Sequence, residues 1–459
     1  MISQGIAGTL ANIKFVRTLA VALLLVSIGA SSASGQEKIL SIKEVLALVR
    51  TDNPEIRAMY QAVLASREDI GIARSLLLPK IGFEERFMRT NNPTYSFMAK
   101  LNQSRFEQSD FEISSLNHPP AISDFQTGLY FEQPVFVPKA YIAIDMARQE
   151  ATAKSGDFQR KQEAAAFRAV KTYIGVQTAK EFVRVAVKGV EDAREHLNTA
   201  ESRYRADLGL YSDMLRAQVA LSAAEERLVS ARKNLAVAKR ALGLSMGLTE
   251  PVDAREDRPA LEIKDLDYYY SAALARKDVQ ALETRWKNAE NSVRMANAGY
   301  WPVFGVGGSY QTNSHRSPFG DEGDSWQVSA FMKWELFDGA KRESEKRKAK
   351  YALAETAEYL DGLKKRISFD VYEAYLGVEE AGKGLELARY ALKSAQEGSR
   401  LVRVRYENSL STIVDLLDVQ TALDSARADV TNKEGAYLIA IVNLEFQSGT
   451  IQKDFGLQD

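Results

Sequence analysis

Two aspartates near the C-terminal end are the residues whose type and spacing could do chemistry in this chain. Asp415 and Asp418 stand three positions apart, which in a helix places both carboxylates on one face. Like charges that are held close together raise some of their own pKa values and attract cations. For Asp415 alone we prefer a simpler interpretation, because acidic residues near a helix N-terminus are favoured by capping and by the helix dipole.

No other group of residues indicates an enzyme. His118, His196 and His315 have no cluster of candidate ligands beside them in the sequence, and we interpret them as surface histidines. The glycine-rich run at 305–308 is similar to a fragment of a phosphate-binding loop, but it lies in a strand pattern with no lysine after it. Glycines in such a place more often let a strand bend. We therefore expect no catalytic residue, no cofactor and no metal site.

The composition excludes several classes of protein. With 60 basic and 61 acidic residues the formal net charge is −1, so no polybasic patch points to nucleic acid. The absence of cysteine excludes disulfides, thiolate metal sites and an N-terminal lipid-modified cysteine. Residues 1–33 have the pattern of a signal peptide, with Lys14 and Arg17 before a short apolar run and small residues up to Ala33. The run is shorter than the roughly 20 residues of a membrane-spanning helix, so we expect export.

The sequence contains an internal repeat, in which one pattern of residues occurs twice. The residue pairs that keep one offset of 202 positions include Arg203 and Arg405, Tyr204 and Tyr406, Asp213 and Asp415, Leu215 and Leu417, and Leu242 and Leu444. We expect a first structural repeat at 34–257 with a β-hairpin at about 80–137, and a second repeat at 258–459 with a β-hairpin at about 303–337. A repeat built around a symmetric assembly usually forms a wall and not an active-site cleft.

Both repeats contain unusually long helices. Apolar and small residues recur in steps of three and four at Val378, Ala381, Leu385, Ala388, Leu392, Ala395, Ser399, Val402 and Tyr406, and again at Leu221, Ala224, Leu228, Ala231, Leu235, Ala238 and Leu242. A mean step of about 3.5 predicts helices that coil around each other. No proline interrupts 140–208, a span of about 100 Å as helix. Helices of this length are not expected in a compact domain.

Each repeat also contains strands with the pattern of a membrane barrel. Residues 326–336 alternate apolar with polar side chains over about 11 residues, the length of one transmembrane strand. Trp326 and Trp334, near the ends of the apolar face, suit the two aromatic girdles of a membrane protein. The counterpart in the first repeat is 125–136.

A further strand in each repeat follows Pro79 and Pro302, and Glu85 interrupts the apolar face of the first one. The loops between paired strands are turn-rich, and long loops of a barrel are normally extracellular, which places the helices in the periplasm. Four strands are too few to close a barrel, and open edges are not viable in lipid. We therefore expect the chain to form an oligomer.

The repeated signature of an Arg-Tyr pair, a short turn and Asp-x-Leu resembles the TolC family of outer-membrane efflux and secretion channels. The likeness runs from the segment at 40–46 to Leu444 and includes strand-to-helix junctions at 133–136 and 335–339. It implies a mainly helical homotrimer with membrane β-strands. Each protomer would give four strands to a 12-stranded β-barrel and its long coiled-coil helices to a trimeric α-barrel. The implied partners are a periplasmic adaptor (membrane fusion protein) and an inner-membrane pump of the RND or ABC type.

The resemblance also implies sites at the helix turns. Residues that would dock the adaptor are Leu208, Gly209, Leu210, Ser212, Asp213, Ser409 and Leu410. We expect Gly209 and Asn408 to adopt the left-handed conformation that can end a helix. We expect Ser212 with Asp213 to begin the next helix.

Asp415 and Asp418 fall in a stretch similar to the one that places two acidic rings at the narrowest point of the family's tunnel. Three copies would bring six carboxylates together as a periplasmic gate. Ser411 stands where the best-known family member has an arginine that helps to lock the closed state.

We predict the exit duct of a tripartite efflux system in the outer membrane of a Gram-negative bacterium, served by a proton-driven pump. Type I protein secretion with an ATP-driven pump is the second prediction. A periplasmic coiled-coil adaptor would explain the long helices and the export signal but not the two pairs of strands. An outer-membrane enzyme or adhesin would need a catalytic constellation or a large passenger domain, and the sequence has neither.

Overall fold

Helices make up most of the protein, and four of them are far longer than the rest. The computed structural model describes residues 38–256 and 263–454, so the predicted signal peptide at 1–33 lies outside the described residues. In chain order the helices are α1 Ile42–Asp52, α2 Pro54–Ser75, α3 Pro93–Asn102, α4 Ile113–Asn117, α5 Pro138–Arg205, α6 Tyr211–Ser245, α7 Leu266–Leu274, α8 Lys277–Ala298, α9 Lys341–Glu407, α10 Ile413–Ser448 and α11 Ile451–Asp454. None of the described helices is long and apolar enough to pass through a membrane.

Small and apolar side chains join the long helices in pairs. Val190, Ala193 and Leu197 of α5 pack with Ala217 and Leu221 of α6 in one buried cluster. On α9 the predicted stripe is buried at Val378, Leu385, Ala388, Ser399 and Tyr406. Small residues let the helix axes approach closely, so the step of three and four residues correctly predicted which side of each helix is covered.

The main hydrophobic core lies where α1, α5, α6 and α10 meet. Tyr173, Leu242 and Met246 are fully buried there. The Tyr173 hydroxyl donates to the carbonyl of Arg255 at 2.9 Å and so fastens this part of the chain to the core. Strand β4, Val252–Ala254, pairs in parallel with β1, Lys38–Leu40. This region joins the middle of α5 to the C-terminal ends of α6 and α10.

A four-stranded antiparallel sheet forms the other part of the fold. Its strands are β2 Lys80–Thr90, β3 Ile122–Phe136, β5 Val303–Ser314 and β6 Gly323–Lys333, in the order β2-β3-β5-β6. The β2–β3 and β5–β6 pairs are the two predicted strand pairs, and β3 pairs with β5 to join them. The predicted architecture of long helices with two pairs of strands is confirmed.

One face of the sheet is apolar and exposed. Trp326 of β6 lies opposite Tyr310 of β5 and is 75% exposed. Glu85 lies on this face opposite Thr127, whose hydroxyl donates to Glu85 Oε2 at 2.5 Å. The carboxylate that interrupted the apolar pattern therefore has a hydrogen-bond partner on the neighbouring strand. Trp334 follows β6, and its indole N–H donates to the carbonyl of Tyr300 at 3.1 Å.

The long loop of the first strand pair contains short helices, although its sequence predicted turns. Asn92 caps α3, and Pro93 occupies the first helical position, where its missing N–H costs nothing. Beyond α3, the Gln103 amide donates to Asp124 Oδ1 at 2.7 Å, and the Asn313 amide donates to the same carboxylate at 3.0 Å. The loop is thus fastened across the ends of β3 and β5.

Candidate functional site

The two turns that join the long helices have the same backbone geometry. In the first turn the N–H of Leu208 donates to the carbonyl of Arg203 at 2.8 Å, and Asp207 has a φ of 55°. In the second the N–H of Leu410 donates to the carbonyl of Arg405 at 2.7 Å, and Ser409 has a φ of 60°. Both are helix ends with one left-handed residue and a bond across six residues. We call residues 206–210 the first tip and residues 408–412 the second tip.

The left-handed residues are not the predicted ones. Gly209 has no positive φ, and Asn408 has a φ of −92°. Helix α5 ends earlier than expected and α9 ends one residue later, so aspartate at 207 and serine at 409 adopt the left-handed conformation. Gly209 instead avoids a close contact, because a Cβ at this position would lie only 3.2 Å from the Cβ of Arg203.

The two tips also differ in how the next helix begins. Helix α6 begins at Tyr211 after Leu210, and no side chain caps its N-terminus. The prediction that Ser212 begins this helix as its cap is therefore wrong, because the helix has already started when the chain reaches it. Asp213 lies in the first turn, where a negative charge suits the helix dipole.

At the second tip, Thr412 caps α10, and Asp415 completes a capping box. Asp415 Oδ2 accepts hydrogen bonds from Ser411 Oγ at 2.9 Å, from the N–H of Thr412 at 2.9 Å and from Thr412 Oγ1 at 2.8 Å. The hydrogen bonds from the backbone and side chain of Thr412 lower the pKa of Asp415. Asp415 thus has the capping role of the simpler interpretation, and Asp418 lies exposed on the same helix one turn later.

Thr412→Val is expected to weaken this helix start by about 1 kcal/mol, because the cap loses its oxygen at nearly constant shape. The lowered pKa of Asp415 means that its contribution to stability is present above the ordinary pKa of an aspartate and is lost as pH falls through the lowered value. Thermal unfolding at neutral and acidic pH should show a smaller dependence on pH in the variant. The control is Thr421→Val, whose hydroxyl donates only within its helix, to the carbonyl of Leu417 at 2.9 Å. Equal effects of the two variants would contradict the capping role.

Arg203 connects the two tips within one chain. Its Nη1 donates to the carbonyls of Tyr406 and Glu407 at 3.0 and 3.2 Å. Its Nη2 donates to the carbonyl of Leu208 at 3.2 Å and to Ser409 Oγ at 2.8 Å. The guanidinium also lies 5.0 Å from the centre of the Tyr406 ring. Arg203 thereby adds charge-assisted donors to the carbonyls in the last turn of α9, where the N–H of Ser409 also donates to the carbonyl of Tyr406 at 3.0 Å.

The sequence revealed the Arg-Tyr pair only as a mark of the repeat and gave it no role. The structure brings the predicted tip residues Leu208 and Ser409 together through one guanidinium. Leu208, Leu210 and Leu410 are exposed, so both tips present apolar side chains outward.

A buried polar cluster joins α5 to α10 further along the helices. His196 is 2% exposed, and its Nε2 lies 3.2 Å from Gln420 Oε1. The Gln420 amide donates to Asp192 at 3.2 Å and to Asp424 at 3.0 Å, and Arg427 Nη1 donates to Asp192 at 2.7 Å. The interpretation of His196 as a surface residue is therefore wrong, because it lies on the side of α5 that α10 covers.

His315 lies in the turn after β5 with its Nδ1 2.6 Å from Glu322 Oε2. Among the residues that the structure describes, no three histidine and carboxylate side chains are grouped as metal ligands. Among the described residues, the candidate functional site therefore consists of the two tips and the buried polar cluster.

The protein combines long paired helices with a small sheet that has an exposed apolar face. This combination is that of a channel protein of the outer membrane. A family model described as outer membrane efflux protein matches residues 45–248 and 268–450. The chain belongs to this family, that of the TolC-like outer-membrane channels. The predicted family, outer-membrane location and role as an exit duct are confirmed.

The relatives share low identity over most of their length. Outer membrane protein TolC of Escherichia coli (strain K12) is 21% identical over 94% of this chain and 86% of the relative. Alkaline protease secretion protein AprF of Pseudomonas aeruginosa is 19% identical over 88% of this chain and 84% of the relative. Among solved structures, the open state of the Neisseria gonorrhoeae MtrE outer membrane channel has a TM-score of 0.72 at 18% identity, with 91% of each chain covered. This structural likeness shows the fold.

Proposed function

We propose that three copies of this chain form the exit duct of a tripartite system that exports small molecules across the outer membrane. The observation that carries the proposal is the pair of free sheet edges. The order β2-β3-β5-β6 leaves one side of β2 and one side of β6 without a partner strand among the described residues of one chain. Unpaired backbone groups are not viable in lipid. Pairing β6 of one copy with β2 of the next satisfies both edges, and three copies make a 12-stranded barrel.

Exposed apolar side chains on α9 support the same assembly. They include Phe369, Tyr372, Leu376, Leu387, Tyr390, Leu401 and Val404. Large exposed apolar stripes mark interaction surfaces. The buried side of α9 faces α10, so a neighbouring copy is the partner that we propose for this second stripe.

In the proposed assembly the tips face a periplasmic adaptor and an inner-membrane pump. The docking residues are Leu208, Gly209, Leu210, Ser212, Asp213, Ser409 and Leu410. Asp415 and Asp418 from three copies supply six carboxylates at the narrowest point, the periplasmic gate. Trp326 and Trp334 lie in the aromatic girdles at the membrane surfaces.

We propose that the mature chain divides at 257/258 into two copies of one unit, each with a pair of long helices and a pair of strands. This boundary falls within residues 257–262, which lie outside the described residues. The matching backbone geometry of the two tips supports the division.

Type I protein secretion is the second candidate. It is favoured by the relative named alkaline protease secretion protein, which aligns with 88% of this chain. The two roles share the duct and differ in the pump and cargo. Export of dyes by cells that carry or lack this chain, compared with the proteins in their medium, would separate them.

The experiment that tests the duct is the native mass of the mature protein, extracted from outer membranes in mild detergent. We expect a particle of three chains, because the barrel can close only with strands from neighbouring copies. The same sample unfolded in SDS is the control and should give the mass of one chain. A monomer that stays in solution without detergent would refute the proposal.

A further inference from the structure

The contact that Arg203 makes within one chain implies a second contact between chains. We propose that Arg405 of one copy binds the first tip of the neighbouring copy, with Asp207 there as its charged partner. The proposal rests on the three-fold assembly proposed above. It assigns the Arg405 guanidinium to a site that is complete only when a second copy supplies the acceptors.

The argument begins with the equivalence of the two tips. The bond from Leu208 to Arg203 has its counterpart in the bond from Leu410 to Arg405, at 2.8 and 2.7 Å. The left-handed residues stand at the same point of both turns, with φ values of 55° and 60°. Since the two arginines occupy the same position on matching helix ends, each can extend its side chain over the turn of an adjacent tip.

The acceptors of Arg203 can then be transferred by the repeat offset of 202 positions. The carbonyls of Tyr406 and Glu407 correspond to those of Tyr204 and Arg205, at the end of α5. The Ser409 hydroxyl corresponds to the Asp207 carboxylate. The contact between chains therefore replaces a neutral acceptor by a carboxylate. An arginine with a carboxylate makes the stronger, charge-assisted hydrogen bond.

Arg405 cannot reach the first tip of its own chain in this way. That tip already lies on the side of the second tip where Arg203 binds. In a ring of three copies, first and second tips alternate, so each second tip also adjoins the first tip of the next chain. The side chains of Arg405 and Asp207 are both exposed and make no hydrogen bond or close ion pair among residues 38–256 and 263–454. The charge of Arg405 acts within its own chain only from a longer distance, where it helps to lower the pKa of Asp415. Their side chains are free to meet across the interface.

The two tyrosines of the repeat give independent support. Tyr406 is 4% exposed and lies beneath the Arg203 guanidinium. Tyr204, its equivalent, is 43% exposed. An arginine over a tyrosine face is a favourable cation–π arrangement. The Tyr204 ring lies 5.5 Å from that of Tyr211, and the repeat places the guanidinium of a neighbouring Arg405 over its remaining exposed part.

Site-specific cross-linking can test the contact, because the chain has no cysteine of its own. The variant D207C/R405C, purified as the full detergent-solubilised protein, is treated with a short bis-maleimide and separated in SDS. We expect the single-chain band to be replaced by bands of two and three linked chains. The matched control R203C/S409C places cysteines at the equivalent contact within one chain, and its product should keep the mass of one chain.

A second measurement tests the ion pair itself. We expect R405A and D207A each to lower the temperature at which the three chains separate, and the double variant to lower it no further than one change does. The control R400A removes an exposed arginine of α9 that pairs with Glu397 of its own helix at 2.7 Å, and it should leave that temperature unchanged. A native mass of three chains without linked bands, or additive effects of the two variants, would overturn this contact alone. A native mass of one chain would instead refute the proposed duct.

Discussion

Replacing Asp415 and Asp418 together with alanine is expected to abolish the cation preference of single channels in a planar bilayer. Three copies would lose six carboxylates at the narrowest point of the proposed tunnel. A change of about 1.4 kcal/mol in the energy of a passing ion alters its permeability on the order of tenfold, and removing close charges is sufficient for that. We therefore expect the ratio of potassium to chloride permeability to fall about tenfold.

The control for the gate is Asp429→Ala. Asp429 is an exposed aspartate on the same helix, α10, about three turns beyond Asp418 and on nearly the same face. If any negative charge along this face set the selectivity, Asp429→Ala would act as strongly as the gate variant. An unchanged permeability ratio in the double variant would contradict the gate.

The elements whose side chains follow a regular period along the chain were predictable from the sequence. The step of three and four residues identified the covered sides of α6 and α9, and the period of two identified the strands. The ends were less certain: β6 covers Gly323–Lys333, whereas its pattern predicted 326–336. Periodicity reports which side chains share a face, and the last hydrogen bond of a strand depends on its neighbour.

Side-chain contacts between distant segments were not predictable. Nothing local shows that Arg203 donates to the carbonyl of Tyr406, because that bond depends on how two tips are placed side by side. The burial of His196 could have been found. It lies three positions after Ala193 and four before Ala200, both buried on α5, so the same step rule places it on the covered side.

Asp192→Ala is expected to cost about 1–3 kcal/mol in the free energy of unfolding, since Gln420 loses a buried acceptor and Arg427 keeps only its longer contact with Asp424, at 3.4 Å. Burial acts to raise the pKa of Asp192, but hydrogen bonds from Arg427 and Lys188 outweigh it, and the pKa lies below its ordinary value. The contribution of Asp192 to stability is therefore present above the ordinary pKa of an aspartate and is lost as pH falls through the lowered one. Chemical unfolding of the detergent-solubilised protein at several pH values measures both effects.

The neighbouring residue supplies the control for Asp192. Glu191 is exposed and pairs with the same lysine, Lys188, at 3.3 Å, so Glu191→Ala should cost less than about 1 kcal/mol. A similar loss in both variants would mean that the cluster contributes no more than a surface ion pair. A large loss for Asp192 alone would mean that the cluster holds α10 against α5. Because α10 also carries Asp415 and Asp418, the position of the proposed gate would then depend on this buried contact between the two repeats.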